Sequence, residues 1–433
     1  MKLITNRIRG TRDLLPEEYV KTQVIIDTIK SEAELYGFNL IRTPVIEHTE
    51  LFERSTGETS DIVTKEMYSF QDKSGRNISL RPEGTAGVLR AVLENGLHNN
   101  TMPLKLMYHS SCYRYEKPQS GRYREFFQFG LEIFGSDTPE TETELILLSN
   151  SILSRLNLSN IILEINTIGC PECRKKYLEI LKKYFEDKKH ELCETCQERL
   201  EKNTLRILDC KNKSCKEICD NSPEIINYIC EPCSEHFEKL KSYLNNLNIN
   251  YNINSRIVRG LDYYSRTVFE FKIKSQDNNI NNLVICGGGR YDKLSEIFGG
   301  PNLPALGLGI GLERLVLAME SQDILFPEVQ TPEIFIICLD NNSRLLGFKL
   351  CDILRKSGIF CELDILNRNL KSQLKYADKI KSKYVIIIGE EELKTKKSKL
   401  KDMRNNNNIN KEYEISIDPE NFLEKFMSIY LSL

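Results

Sequence analysis

The sequence predicts an α+β protein of two or three domains, and three stretches carry that reading. Residues 104–134 form two alternating extended segments joined by a charged loop. Residues 170–233 gather nine of the 14 cysteines between Lys/Glu-rich amphipathic segments, which reads as an inserted helical domain. From Glu333 onward strands alternate with helices, the pattern of a small parallel or mixed sheet covered by helices. At 433 residues the chain exceeds one ordinary core.

Composition excludes several classes. Apolar residues are 40% and charged residues 28%, the balance of a water-soluble globular chain. A formal net charge of −2 gives no global basic field for nucleic acid, which leaves only local patches to supply one. No run of about 18 apolar residues offers a membrane span. Met1-Lys2-Leu3 leads directly into charged sequence without a signal-peptide core, so the expected location is the cytoplasm. Cysteines in that compartment are reduced, and clustered ones point to metal before disulfides.

In chain order, Pro16 to Phe38 is an amphipathic helix with Val20, Val24, Ile25, Thr28, Ile29 and Leu35 on one side; Asp13 and Pro16-Glu17-Glu18 suit its start and Gly37 its end. Leu40 to Ile46 is a short strand that Pro44 confines to an edge or interface. Leu51 to Phe70 is a polar, Thr-rich loop entering a strand near Met67–Phe70. Ile78 to Arg81 is a strand, followed by the turn Arg81-Pro82-Glu83-Gly84-Thr85 and a helix to Leu93. Glu83 and Thr85 stand at a strand-to-helix turn, either as site residues or as helix caps. In the hairpin, Phe127, Phe129, Leu131 and Ile133 share one face and Gln128, Gly130 and Glu132 the other. A Gln and a Glu flanking bare glycine backbone suit a pocket floor. Arg122 and Arg124 in the loop suit phosphate, or are an exposed basic tip.

Thr143 to Leu156 is a helix and Ile161 to Asn166 a strand. The cysteines pair as Cys170/Cys173, Cys193/Cys196, Cys215/Cys219 and Cys230/Cys233, with Cys210 left over. Pairs so spaced make thiolate zinc sites when brought together, or are small buried apolar groups. Arg259-Gly260-Leu261-Asp262-Tyr263-Tyr264 precedes a strand from Thr267 to Ile273. Leu283 to Ile285 runs into Cys286-Gly287-Gly288-Gly289-Arg290-Tyr291-Asp292, whose glycines allow close backbone approach or a bulge. Leu306 to Gly311 alternates small and apolar residues and delivers a helix whose first turn holds Arg314, a candidate phosphate cradle. The last unit reads strand 334–339, helix 343–357, strand 360–363, helix 370–380, strand 384–388. Lys371, Lys375, Lys379, Lys381 and Lys383, with five more lysines from Lys394 to Lys401, are a solvated surface or a nucleic-acid face. Asn405 to Asn408 is a polar loop tip.

Together these residues resemble the bacterial histidyl-tRNA synthetases, a family of class II aminoacyl-tRNA synthetases. Leu40 to Glu47 resembles that class's first motif, at the dimer interface. Tyr113 to Glu116, the loop and Arg122 to Glu132 resemble the second, and Gly309 to Leu315 the third. Arg259 to Glu270 and Gly287 to Asp292 resemble the family's histidine-specific stretches. Ser265, where asparagine is commoner, and the late asparagine run depart from the pattern without touching a matched binding position.

The resemblance implies a class II antiparallel-sheet catalytic core in residues 1–168 and 254–325, a helical insertion in 169–253, and an α/β anticodon-binding domain in 331–433. It implies ligation of L-histidine to histidine tRNA with ATP and Mg²⁺, by a homodimer. Glu83, Gly84 and Thr85 match histidine-binding positions; Gln128 and Glu132 match those holding its ammonium and carboxylate end, and Tyr263 and Tyr264 those around the imidazole. Arg114 and Arg259 match catalytic arginines on the α-phosphate, Arg259 being matched to a histidine-binding position as well, and Arg314 matches one on the γ-phosphate. Glu116 and Phe126 match adenine contacts, and Arg122 belongs to the ATP site. Two rival classes are an inactive paralogue that senses histidine, which would lack the last domain, and a non-catalytic nucleic-acid-binding module.

Overall fold

The computed structural model describes residues 4–58, 60–210, 212–257, 261–277, 280–404 and 411–431. Arg259, Gly260 and the asparagine run 405–408 lie outside the described residues. Two compact units result, Met1–Pro327 and Glu328–Leu433.

The first unit opens with helix α1 (Pro16–Leu35), whose first turn holds Pro16, Glu17 and Glu18, complementing the positive helix end. Strands β1 (Asn39–Leu40) and β2 (Ile46–His48) bracket Pro44, so the single strand expected over 40–46 is two short pieces with the proline between them. Helix α2 (Thr49–Thr56) follows, where the Thr-rich composition had suggested a loop; its Phe52 is fully buried, and tertiary packing outweighs the weak helix propensity of threonine. Strands β3 (Ser69–Gln71) and β4 (Asn77–Leu80) form a three-stranded sheet with β2, and helix α3 (Thr85–Glu94) leaves the turn at Glu83.

The remaining elements build the main sheet. They are β5 (Leu104–Tyr113), β6 (Glu125–Phe134), α4 (Pro139–Arg155), β7 (Ile161–Thr167), the insertion helices α5 (Pro171–Glu186), α6 (Glu194–Lys202), α7 (Lys213–Asp220) and α8 (Glu231–Asn246), then β8 (Tyr251–Ile253), β9 (Ser265–Ile273), β10 (Leu283–Arg290), α9 (Leu294–Ile297), β11 (Ala305–Gly311) and α10 (Leu312–Glu320). The strand order is β1-β5-β6-β11-β10-β9-β7-β8. The six inner strands pair antiparallel, and only the edges β1 and β8 run parallel to their neighbours.

One face of this sheet is the core. Phe129, Leu131 and Ile133 of β6 and Leu306, Leu308 and Ile310 of β11 are buried there beneath α1, α4, α8 and α10. A strand's period of two then commits Gln128, Gly130, Glu132, Gly307, Gly309 and Gly311 to the opposite face. On β5 the register places Leu106, Tyr108 and Ser110 opposite Glu132, Gly130 and Gln128, so that strand's even positions share the polar face while Met107 enters the core.

The second unit has a five-stranded mixed sheet, order β13-β12-β14-β15-β16, from β12 (Ile334–Cys338), β13 (Cys361–Leu363), β14 (Tyr384–Ile388), β15 (Lys397–Asp402) and β16 (Glu412–Ser416). Helices α11 (Asn341–Lys356), α12 (Leu370–Lys379), α13 (Glu390–Thr395) and α14 (Pro419–Leu431) accompany it. Here β15 is a strand of the lysine-rich stretch: Ser398, Leu400 and Asp402 turn inward, while Lys397 and Lys399 pair with Glu414 and Glu412 of β16 at 2.6 and 3.2 Å. Much of that basic run is therefore a solvated, ion-paired strand face. Among the described residues no helix is long and apolar enough to cross a membrane.

Candidate active site

The polar sheet face is floored by glycine. Gly130, Gly309 and Gly287 lie in one row across β6, β11 and β10, and Gly307 and Gly289 continue the next row beside Glu132. A Cβ at Gly307 would overlap the Glu132 carboxylate, and one at Gly309 the Gln128 amide. The missing side chains make the space in which these two polar groups lie against the sheet.

Over this floor a cavity of about 460 Å³ is lined by Arg114, Glu116, Arg122, Phe126, Gln128 and Arg314. Its size and its few converging charged groups suit a small-molecule site. Arg114 reaches it from the end of β5, with its Nε donating to the Pro82 carbonyl at 2.9 Å and its guanidinium 5.3 Å from the Phe126 ring centre. Arg122 Nη1 donates to Glu116 Oε2 at 3.3 Å, and Arg114 Nη1 stands 3.9 Å from Glu116 Oε1, so one carboxylate bridges both arginines. Arg314 stands in the first turn of α10, which β11 delivers, and donates to the Val284 carbonyl at 2.8 Å. Glu270 and Glu313 place carboxylates on the same wall.

Deeper on the same face lies a buried cluster. Glu132 accepts from Thr85 Oγ1 at 2.7 Å and from the Tyr291 hydroxyl at 2.5 Å. Burial pushes its carboxyl up to about 8; the two hydroxyls pull it down, and the nearby charge of Glu83 adds to the rise. Glu83 accepts from the backbone N–H groups of Thr85 and Ala86 at 2.7 and 2.9 Å. Burial raises its carboxyl too, opposed by those N–H groups. Glu83 is thus the cap of α3 as well as a buried group of the cluster, and Thr85 is not a cap: its hydroxyl is spent on Glu132. Tyr263 and Tyr264 are both buried, with ring centres 4.7 Å apart, and Tyr263 stands edge-on to Tyr291 at 5.5 Å. Gly84 and Gly130 both back the Tyr108 ring, which a Cβ at either position would strike.

Every expected site residue within the described chain therefore falls on one face, as an outer group (Arg114, Glu116, Arg122, Phe126, Arg314), an inner group (Glu83, Gly84, Thr85, Glu132, Tyr263, Tyr264), and Gln128 between them. Two further arginines lie outside both groups. Arg124 leaves the cavity and stacks 3.7 Å from the Tyr115 ring centre. Arg290, in the glycine-rich stretch, is fully buried; it grips Glu142 at 2.6 and 2.7 Å and Asp292 at 3.2 Å. Burial alone would raise Glu142, yet the charges of Arg290 and His236 hold its carboxyl down at about 2.

Tyr108 and Tyr291 are residues that sequence reasoning passed over. Tyr108 is buried, and its hydroxyl has no hydrogen-bond partner among the described residues. The hairpin register is the signal that would have found it, because position 108 opposes Gly130. In the insertion, the sulfurs group as Cys170, Cys173, Cys230 and Cys233, and as Cys193, Cys196, Cys210 and Cys215, each set within 4.8 Å. Cys210 is thus a member of the second group, and Cys219, expected as the mate of Cys215, stands outside it with its thiol directed to the Ile207 carbonyl at 3.4 Å.

Residues 10–315 match the family model described as histidyl-tRNA synthetase, and residues 333–427 one described as anticodon binding domain. A histidine–tRNA ligase of Clostridium novyi is 47% identical over 424 residues, covering 98% of this chain and 98% of its own. One from Thermoanaerobacter pseudethanolicus is 48% identical over 416 residues, covering 96% and 98%. The crystal structure of apo S. aureus histidyl-tRNA synthetase aligns with a TM-score of 0.81 at 34% identity, over 97% of this chain and 100% of that one. A protein described as an ATP phosphoribosyltransferase regulatory subunit/histidyl-tRNA synthetase from Bacillus halodurans, 24% identical with a TM-score of 0.63, shares the fold. Matched over most of its length and nearly half identical to full-length relatives, the chain belongs to the histidyl-tRNA synthetase family.

Proposed function

We propose that this chain is a histidine–tRNA ligase that activates L-histidine with ATP and transfers it to the 3′ end of histidine tRNA. The observation that carries the reading is the division of one sheet face into an arginine-lined outer cavity and a buried carboxylate–tyrosine inner group joined through Gln128. ATP fits the outer cavity: Phe126 supplies a ring for adenine, Glu116 an acceptor for its amino group, and Arg114, Arg122 and Arg314 cations for the phosphates. Arg122 would exchange Glu116 for phosphate. Histidine fits the inner group, its N–H donors meeting Glu83, Thr85 and Glu132 and its ring lying among Tyr263, Tyr264 and Tyr108.

In the first step a carboxylate oxygen of histidine attacks the α-phosphorus and pyrophosphate departs. In the second, the terminal ribose hydroxyl attacks the adenylate carbonyl and AMP departs. Neither step needs a protein nucleophile. Charge growing on the α-phosphate is met by Arg114 and, by family resemblance, by Arg259. Glu270 and Glu313 offer the hard oxygen donors that suit Mg²⁺ carried with the triphosphate, which would supply charge neutralisation there.

Residues 1–168 and 254–325 would form the catalytic core, 169–253 its insertion, and 331–433 the anticodon-binding domain, working in the cytoplasm as a homodimer. Leu40, Ile46 and Phe70, exposed apolar residues beside the first-motif segment, suit burial by a second copy. Zinc is the metal whose ligand preference fits the insertion's thiol groups. Charging of histidine tRNA by the purified chain tests the reading. Deleting residues from 331 onward should leave adenylate formation and sharply reduce charging; an equal loss of both in a folded dimer would refute the division of labour.

A further inference from the structure

The cysteine groups have the geometry of two metal sites. Sγ of Cys170 lies 3.5 Å from that of Cys173 and 4.0 Å from that of Cys230, and Sγ of Cys193 lies 3.8 Å from that of Cys210. A tetrahedral ion bound to sulfur at about 2.3 Å sets its ligands about 3.8 Å apart. None of these cysteines is in a disulfide. Cys170, Cys193 and Cys230 occupy the N-cap positions of α5, α6 and α8, where the helix end favours a thiolate. The second member of each motif, Cys173, Cys196 or Cys233, follows within the first turn. Backbone N–H groups already serve the sulfurs: Cys230 N donates to Cys173 Sγ at 3.0 Å and Cys193 N to Cys215 Sγ at 3.2 Å.

The two groups differ in place. The first joins the entry of the insertion, Cys170 and Cys173, to its last helix at Cys230 and Cys233, and so closes the neck. The second ties α6 and α7 together through Cys193, Cys196, Cys210 and Cys215. Both reach the active site through neighbouring residues. Arg174, next to Cys173, is directed at the backbone carbonyls of Asp262, at 3.1 Å, and Tyr264. Asn203, at the end of α6, donates to the Asp262 side chain at 3.4 Å. Asp209, next to Cys210, lines the outer cavity. The apolar cluster is continuous as well, joining Tyr177, Leu200 and Cys215 of the insertion to Tyr108, Tyr263 and Tyr291.

We propose that the insertion carries two structural zinc ions, one in each four-thiolate group, and that they shape the amino-acid pocket by bracing Arg174 and Asn203 against the Asp262–Tyr264 turn. The second half rests on the histidine-pocket reading above; the first stands without it. Full-length protein purified without chelator from zinc-supplemented medium should hold about two zinc per chain by elemental analysis. Cys230→Ser/Cys233→Ser should keep about one, and should raise the KM for histidine in pyrophosphate exchange at least about tenfold, with the KM for ATP within about twofold. Arg174→Ala should keep both ions and raise the histidine KM alike, and it decides the bracing role if the cysteine variant does not fold. Less than about 0.2 zinc per chain, with all 14 thiols titrating as free or with iron in zinc's place, overturns the metal assignment. Two zinc with an unchanged histidine KM in Arg174→Ala overturns the bracing role. Absence of any histidine-dependent exchange in the wild-type protein with two zinc bound refutes the pocket reading and the bracing together, and leaves the metal sites standing.

Discussion

Glu132→Gln replaces one buried titratable carboxyl at the centre of the pocket with an amide of the same shape. The wild-type carboxyl is fully buried against the hydroxyls of Thr85 and Tyr291. Burial lifts it from the ordinary 4.5 to about 8, an interval of about 3.5 pH units, equivalent to about 5 kcal/mol. The folded state therefore holds the proton more tightly than the unfolded chain. The stability this group contributes is complete below the unfolded value of 4.5 and is lost as pH rises through about 8. Between about pH 5.5 and 7.5 the loss runs at about 1.4 kcal/mol per pH unit, or nearly 3 kcal/mol in all. Glutamine has no proton to lose, so the variant escapes this slope. Urea unfolding of the core at the two pH values should show Glu132→Gln gaining about 2–3 kcal/mol on the wild type at the higher pH relative to the lower. The ammonium of bound histidine would favour the ionised carboxyl, and losing that acceptor, worth about 2–3 kcal/mol, should raise the KM for histidine about 30- to 150-fold, leaving that for ATP within about threefold. Parallel pH profiles together with a histidine KM within threefold of wild type would refute the placement of Glu132 as the deep carboxyl of the pocket.

Other outcomes follow from the same geometry. Arg290→Met, which leaves the buried Glu142 carboxylate with His236 alone beside it, should lower core stability by about 3–5 kcal/mol in a chemical denaturation curve; an unchanged midpoint would contradict the buried ion pair. Gly309→Ala displaces only the mobile end of Gln128, so calorimetry should show a Tm near wild type while the histidine KM rises several-fold; a collapse in Tm with normal kinetics would reverse that assignment. Glu83→Ala removes both acceptors of the α3 N-terminus, so it should lower stability by about 1–2 kcal/mol as well as weaken histidine binding; an unchanged histidine KM beside a lowered Tm would leave capping as its sole task. Arg259→His should cut histidine-dependent pyrophosphate exchange at least about a hundredfold with Tm near wild type, the size of loss seen when one electrostatic contact to a transition state is removed; full turnover would remove it from catalysis.

Much of the site was legible because strand alternation is a strict code. The odd positions 127–133 had to enter the core, which commits Gln128 and Glu132 to the pocket face before any partner strand is known. Register was not legible in the same way. Only the pairing of Tyr108 with Gly130 reveals that β5 turns its aromatic toward the pocket. Cysteine grouping is likewise a fact of three dimensions: a four-residue offset made Cys219 the natural mate of Cys215, yet a helical turn points Cys219 to the Ile207 carbonyl and leaves Cys210 to complete the group. Charge could be read only with the fold in hand. Arg290 stands in a glycine-rich stretch that suits close approach of a ligand, yet Glu142, distant in sequence, closes on it. The lysines of β15 fit a solvated face or a nucleic-acid face in sequence, and only the fold lays Glu414 and Glu412 beside Lys397 and Lys399. Glu83 resisted a choice between capping and binding because its geometry serves the first and allows the second.

The most direct measurement is exchange of labelled pyrophosphate into ATP by the purified full-length chain with each amino acid in turn and no tRNA present. Exchange with L-histidine, falling to background with every other amino acid and in Arg114→Ala, is the expected result. A folded, ATP-binding chain that gives no exchange with histidine, or gives it with another amino acid, would contradict the proposed activation of histidine.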